Sequence, residues 1–400
     1  MSIKNKKKIF KIISVSTSII ISFFIVELIL TFSNFNYYRG IEYDRAISKI
    51  DGFDKRRRYD YYQEKILTDP KTVVTIAPYW HLNKKKKILP LSGISNQNTI
   101  YCNELGFFSE YISDRYGLNN PDNVWNKNPN IIILGDSYAH GACLNEPDTI
   151  VGNMRKHDLD IGNISYGGNG PLLELATLKE ILNVSNPETV IWFFAEANDL
   201  SQLEFTKKDP ILIKYLNLDK FNQKIFLKQN QTDKFLYSIL EDQLILEEKQ
   251  KNQYKKKIKK RKNLKKKNLK NFLTLTRVRG LLIKIVWKPR NKYMKYDLKL
   301  FSNISKKIKS ITDQNNIELI FVYLPQFARY SYLQNNKETF KNYKDVIKII
   351  ENLNIKIVDI KILFDKYDDP KTFFPLNIGG HYNKKGAEVV AKEILKNIIK

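Results

Sequence analysis

Residues Ile131 to Gly141 read Ile-Ile-Ile-Leu-Gly-Asp-Ser-Tyr-Ala-His-Gly, an apolar run that passes through a tight turn carrying Ser137 into a helical pattern. A side chain on such a turn stands at the carboxyl end of its strand and faces the positive end of the next helix. A substrate and a developing negative charge can be held there, so this is a place where serine serves as a nucleophile. Serine after a strand is also a favoured helix cap, so the position gains meaning only from partners. Three stretches downstream supply them. Tyr166-Gly167-Gly168-Asn169-Gly170-Pro171 offers bare backbone that can approach a ligand closely. Glu196-Ala197-Asn198-Asp199 follows another apolar run, and Gly379-Gly380-His381-Tyr382-Asn383 precedes a closing helical pattern. Ser, Gly, Asn and His thus occur in that order, each just beyond a strand or at a helix entry.

The ordered set resembles the SGNH (GDSL) hydrolase family over roughly 128 to 200 and 317 to 400. Carried over by motif, Ser137 corresponds to the nucleophile, Gly168 (placed by its interval after Asn163) to the glycine of the second block, Asn198 to the asparagine of the third and His381 to the base of the fourth. The resemblance implies that His381 takes the Ser137 proton and returns it to the leaving alcohol. The backbone N–H groups of Ser137 and Gly168 and the side-chain amide of Asn198 would then face the oxyanion. Two positions depart from the pattern. Glu196 stands where the third block has glycine, and Ile378 where the fourth has its acid, three residues before the histidine. With Ile378 there, the imidazole must be oriented by a backbone carbonyl, by Asn377, or by a carboxylate of Asp368 or Asp369. His140, close to Ser137 in sequence, is set aside as the base because the helix after the turn carries it away. Asp136 and Asp199 read as loop-fixing hydrogen-bond partners.

The elements that must position these groups can be proposed from apolar runs at Ile131 to Leu134, Asp160 to Ile164, Thr189 to Phe194, Ile317 to Leu324 and Ile355 to Ile360. Helical patterns such as Pro171 to Leu182 and Tyr343 to Leu353 separate them. Strands alternating with helices predict an α/β fold, a parallel sheet covered on both faces. The family resemblance adds a three-layer α/β/α arrangement with five strands in flavodoxin-like order. The expected organisation is a basic tail and transmembrane anchor over 1–33, a membrane-proximal extension over 34–127, the hydrolase-like core over 128–200 and 317–400, and a lysine-rich helical insertion over 201–316. Within the extension, Ser113 to Pro121 is the most distinctive stretch, either a turn-rich lead into the first strand or one wall of an acceptor cleft.

Lysines 4 and 6 to 8 precede an almost wholly apolar segment over residues 12–32, long enough to cross a bilayer and without a small-x-small cleavage site. The positive-inside tendency places the short amino end in the cytoplasm and the remainder on the extracytoplasmic, periplasmic side of the cytoplasmic membrane. Glu27, the ionisable residue of that segment, either snorkels to the interface or pairs with a neighbouring membrane protein. The net charge of +26 is mostly lysine spread along the chain, which does not point to nucleic acid. The dense run Lys249 to Lys270 reads as a solvated helix face or a contact with anionic lipid or an acidic polymer. Cys102 and Cys143 form a disulfide or remain two buried thiols. The four histidines lack metal-ligand spacing and no phosphate or dinucleotide glycine loop occurs, so neither metal nor cofactor is expected. Taken together, the expectation is an anchored serine esterase or O-acyltransferase acting on O-acyl, foremost O-acetyl, groups of a cell-envelope polysaccharide. Its partners would be the bilayer, an acylated glycan and, in the transferase case, a membrane acyltransferase. The alternative is a degenerate member that binds glycan or scaffolds an export complex.

Overall fold

The computed structural model describes residues 3–32, 47, 50–82, 88–262, 272–286, 296–331, 340 and 342–398. The chain divides into two compact units, Met1–Lys49 with Leu246–Met294, and Ile50–Ile245 with Lys295–Lys400.

The larger unit contains two sheets. β1 (Thr72–Val74), β2 (Asn98–Ile100) and β3 (Glu110–Ile112) form a small mixed sheet in which β2 pairs parallel with β1 and antiparallel with β3. β4 (Ile131–Leu134), β5 (Ile161–Asn163), β6 (Thr189–Ala195), β7 (Glu318–Leu324) and β8 (Lys356–Asp359) form an all-parallel sheet in the order β5-β4-β6-β7-β8. Counted from β4, this is the 2-1-3-4-5 order of flavodoxin-like folds, whose crevice opens where the order reverses, between the first and third strands. Ser137 lies at that point.

Alternation along each strand divides the core in two. Ile132, Leu134, Trp192, Phe194, Phe321 and Tyr323 pack to one face, beneath the helices Pro171–Ile181, Pro210–Asn217, Leu298–Gln314 and Asn342–Glu351. Ile133, Ile191, Phe193, Ile320 and Val322 pack to the other, beneath Ser137–His140, Ile150–Arg155, Ile360–Phe364 and Lys384–Ile398. Both faces are buried, which is why the strands read as unbroken apolar runs. Their ends fall within one or two residues of the expected limits.

The stretch after residue 50 is more than a lead into β4. The helix Arg58–Thr68 and the small sheet share a separate core with Leu236, Ile239 and Leu240 of the long helix Gln229–Lys262. Ser113 to Pro121 forms a polar buckle. Asp114 accepts from the Tyr116 and Leu118 backbone N–H groups (2.8 and 2.9 Å), the Asn120 side chain (2.8 Å) and Trp125 Nε1 (2.7 Å). Of the lysine-rich run, residues 249–262 continue the long helix and 263–270 lie outside the described residues. In the smaller unit, the helix Ile3–Phe32 is long and apolar enough over Asn5–Phe32 to cross a membrane.

Candidate active site

Ser137 begins the short helix Ser137–His140 directly after the β4 turn. Asp136 caps this helix, accepting from Tyr138 N–H at 2.9 Å. The Asn163 amide donates to Ala139 O (2.9 Å) and the Asn119 amide to His140 O (3.0 Å), so the turn is fixed from β5 and from the polar buckle. Gly168 has φ +87°, a left-handed conformation that costs other residues strain. The backbone N–H groups of Ser137 and Gly168 donate to no protein atom among the described residues. Asn198, at the β6 end, holds the Asp136 carboxyl down against the effect of burial, and its side-chain oxygen is buried with no partner. Ser137, Gly168 and Asn198 therefore sit on three adjacent strand ends, with the Ser137 and Gly168 N–H groups uncommitted to protein among the described residues.

His381 arrives from the loop before Lys384–Ile398. Its Nε2 is 2.9 Å from Ser137 Oγ, and its Nδ1 is 3.0 Å from Glu104 Oε1, while Glu104 Oε2 accepts the His381 backbone N–H at 2.8 Å. The imidazole is therefore oriented by Glu104 and not by Asn377, Asp368 or Asp369. The Asp369 carboxylate is committed to the Lys371 N–H at the start of the next 3₁₀ turn. Asn377 sits in a separate turn with positive φ. Glu104 lies four residues beyond β2, in the stretch expected to be an extension. Two features bring it in. Cys102 is joined by a disulfide to Cys143, just past the Ser137 helix. Gly380, at φ +98°, leaves open the space the carboxylate occupies, since a Cβ there would lie 2.4 Å from Glu104 Oε2. The Gly-Gly pair before His381, read together with the cysteine spacing, is the signal in the sequence that could have located this acid.

The electrostatics follow from these contacts. Burial pushes the Glu104 carboxyl up, but the hydrogen bonds and charge of His381 outweigh it and hold its pKa below the ordinary value. For His381, burial acts downward, and the Glu104 hydrogen bond and charge outweigh it to leave the pKa raised above 6.5. About a quarter of each side chain remains exposed, 26% for His381 and 24% for Glu104, so a ligand can reach the pair. His140 differs throughout. Fully buried among Tyr101, Tyr111 and Tyr166, it is pushed down to about 3 by desolvation, and its Nδ1 accepts the Gly167 N–H at 3.1 Å. It is a neutral packing group that fixes the glycine turn. Glu104, Cys143 and His381 bring ligand-type atoms within 4.8 Å of one another, but the Cys143 sulfur is committed to the disulfide and cannot act as a thiolate.

Glu196, in the position where the motif has glycine, points away from the serine. It accepts from Tyr323 Oη (2.7 Å), Gln326 N–H (3.1 Å) and Arg329 Nε (3.1 Å), and pairs with the Arg329 guanidinium. Glu196, Tyr323 and Gln326 of this knot line a cavity of about 100 Å³ beside Asn198, together with Phe194, Tyr296, Tyr343 and Val346.

A nucleophile, a base and a carboxylate in line, at the crevice of a parallel sheet, define a serine–histidine–acid constellation. No protein-family model matches the chain, and no curated protein matches it. Among solved structures it is similar to the lipase/acylhydrolase from Enterococcus faecalis, with a TM-score of 0.35 and 13% identity over 67% of this chain and 94% of that one. It is also similar to a catalytic mutant of an acetylxylan esterase from Geobacillus stearothermophilus, with a TM-score of 0.33 and 14% identity over 68% and 94%. A member of the lipolytic protein G-D-S-L family from Veillonella parvula gives 0.34 and 10% over 68% and 98%.

Proposed function

We propose that the protein is a membrane-anchored serine esterase or O-acyltransferase that acts on O-acyl, foremost O-acetyl, groups of cell-envelope polysaccharide. The observation that carries the chemistry is the line Ser137 Oγ–His381 Nε2 at 2.9 Å with Glu104 on the far nitrogen. Ser137 Oγ attacks the ester carbonyl carbon as its proton passes to His381 Nε2, and Glu104 stabilises the imidazolium that forms. The carbonyl oxygen, now negative, turns toward the N–H groups of Ser137 and Gly168 and the Asn198 amide. Collapse breaks the C–O bond to the alcohol, which leaves with the proton from His381. Water or a sugar hydroxyl then attacks the acyl-serine, loses its proton to His381, and Ser137 departs with that proton. Which acceptor attacks separates hydrolase from transferase.

The apolar helix near the amino end supports a catalytic unit held at the membrane, where nascent envelope glycans are within reach. The non-catalytic alternative draws its ground from Ile378, and Glu104 supplies a carboxylate at the nitrogen that Ile378 leaves bare. Full-length protein in nanodiscs should turn over p-nitrophenyl acetate, release acetate from O-acetylated glycan, and be labelled by a fluorophosphonate. Ser137→Ala should abolish all three. Absence of turnover and of Ser137-dependent labelling in correctly folded protein would exclude the catalytic reading.

A further inference from the structure

The hydroxyls of the anchor helix satisfy themselves, Thr17, Ser18 and Ser22 each donating to the carbonyl four residues before. Glu27 cannot do so. It is completely buried, five residues before the helix ends at Phe32, and so about 7.5 Å inside that end. A carboxylate at such a depth is costly unless donors converge on it. They come from the same chain. Glu27 Oε1 and Oε2 accept the Arg277 backbone N–H at 3.1 and 2.9 Å, and Oε2 accepts the Val278 N–H at 2.7 Å. Arg277 Nη1 lies 3.6 Å from Oε1 and donates to Thr31 Oγ1 at 2.9 Å.

Arg277 and Val278 open the helix Thr276–Val286, whose first N–H groups have no partner within the helix itself. In hydrocarbon each such orphan costs several kcal/mol. Glu27 thus caps the start of the second helix, and the cap counts for most where water cannot reach those N–H groups. Phe272, just before this helix, packs with its ring tilted against Phe24, centroids 5.5 Å apart, about a turn deeper than Glu27. The outward apolar surface of the anchor (Ile25, Leu28, Ile29) is matched by exposed Leu273 and Leu282.

We propose that Phe272 to Val286 is a second membrane-embedded element, clamped to the anchor by Glu27 and covered on its outer side by lipid acyl chains. This rests on the reading of Ile3–Phe32 as a membrane span. The helix Thr276–Val286 has 11 residues, about 16 Å of helix, too short to cross and suited to dipping into one leaflet. Glu27 is then neither snorkelling nor reserved for another protein.

Because Cys102 and Cys143 are the only cysteines and are bonded to each other, an introduced cysteine is the sole site for a nitroxide. Leu273→Cys and Leu282→Cys, with Ile20→Cys as the span reference and Ile112→Cys as the water reference, would be spin-labelled in full-length protein. Each would be placed in phosphatidylethanolamine/phosphatidylglycerol nanodiscs. Collision rates with oxygen and with a nickel chelate distinguish lipid, water and protein interior. Positions 273 and 282 should report lipid, as position 20 does, and Glu27→Leu should move 282 toward the signature of position 112. Glu27→Gln, which keeps the shape and one acceptor, should give a smaller shift. Water-like or protein-interior signatures at 273 and 282, or no response to Glu27→Leu, overturn the proposal while the span stands. A water-like signature at position 20 removes the span and the proposal together. The chemistry of Ser137 and His381 stands apart from both results, because it is read by turnover and labelling.

Discussion

Glu104 grips His381 twice, Oε1 at 3.0 Å from the ring Nδ1 and Oε2 at 2.8 Å from the backbone N–H, across 277 residues of sequence. The double contact fixes ring rotation and loop position together, and so sets the tautomer that leaves Nε2 free to accept the Ser137 proton.

Replacing Glu104 should therefore change both rate and pH profile. The neutral imidazole is the base, and the Glu104 hydrogen bond and charge hold its pKa above 6.5 against burial, so kcat/KM should rise with pH on a limb whose midpoint exceeds that value. Glu104→Gln keeps the shape but removes the charge, leaving burial opposed only by the more weakly acting Asp136, and the limb should move to lower pH. The rate should fall by roughly 10²–10⁴. Asp368→Asn, Asp369→Asn and Asn377→Ala should leave both nearly unchanged. A Glu104→Gln profile superimposable on wild type would show that the carboxylate does not act through His381.

The disulfide is the strap on that acid, since Cys102 is two residues from Glu104 and Cys143 lies beyond the Ser137 helix. Closing a span of 41 residues constrains the unfolded chain by roughly 3–5 kcal/mol in the loop-entropy account. Cys102→Ser with Cys143→Ser should lower Tm and reduce kcat more than KM, with the pH limb moving in the direction of Glu104→Gln. A loss of Tm with an intact rate and profile would make the bond purely structural.

How far the sequence reaches follows from where each constraint acts. The five strands, their common direction and the Ser-Gly-Asn-His order are legible because burial on both faces and strand-end turns leave local marks: apolar runs, glycines, and polar residues just past them. The acid leaves no local mark. Glu104 is one carboxylate among many in a stretch of tyrosine and charge, and its role depends on a disulfide whose pairing the sequence leaves open and on a vacant Cβ position at Gly380. The small sheet escapes for a similar reason. Its strands of three residues each are too short for a period to register, and they are held by a core shared with Leu236 and Leu240, far along the chain. Glu27 stands out as anomalous in an apolar segment, but its partner, a helix start 250 residues away, cannot be inferred from spacing.

Glu174 and Asp199, both fully buried behind the site, give a second pH signature. Burial pushes both carboxyls well above the ordinary range, and the charges of Glu174 and Asp136 push Asp199 further. Groups whose folded pKa is raised keep their protons longer in the folded state. Their stabilisation is present at low pH and is lost as pH climbs from the unfolded values through the raised ones. The pair therefore makes Tm fall as pH rises above the ordinary carboxylate range. Asp199→Asn, whose amide oxygen can still accept the Ala195 N–H that Asp199 holds at 2.8 Å, should flatten that fall. Parallel Tm curves for the two proteins would remove the pair as its source.

On the proposed chemistry, the acyl chain accepted should be set by the cavity that Glu196 lines. His381 must protonate the departing alcohol, so the alcohol should lie on its side of the sheet, where Tyr138 packs against the ring. The acyl group should then point the other way, past Asn198, toward the cavity bounded by Phe194, Tyr323 and Val346, which belong to the opposite face. At about 100 Å³, with Glu196 at its wall and Arg329 paired to it, that cavity has room for a short acyl chain such as acetyl or propionyl. Turnover of p-nitrophenyl esters should fall steeply beyond propionate. Removing Glu196 alone would strand Arg329, whose side chain is only 13% exposed, at a cost of roughly 3–5 kcal/mol, so the pair is best removed together. Glu196→Ala with Arg329→Leu should raise the hexanoate-to-acetate ratio of kcat/KM by about tenfold, the scale of one or two methylenes gaining an apolar wall. Wild-type protein that cleaves octanoate as readily as acetate, or a double variant that stays active with an unchanged ratio, would place the acyl group elsewhere.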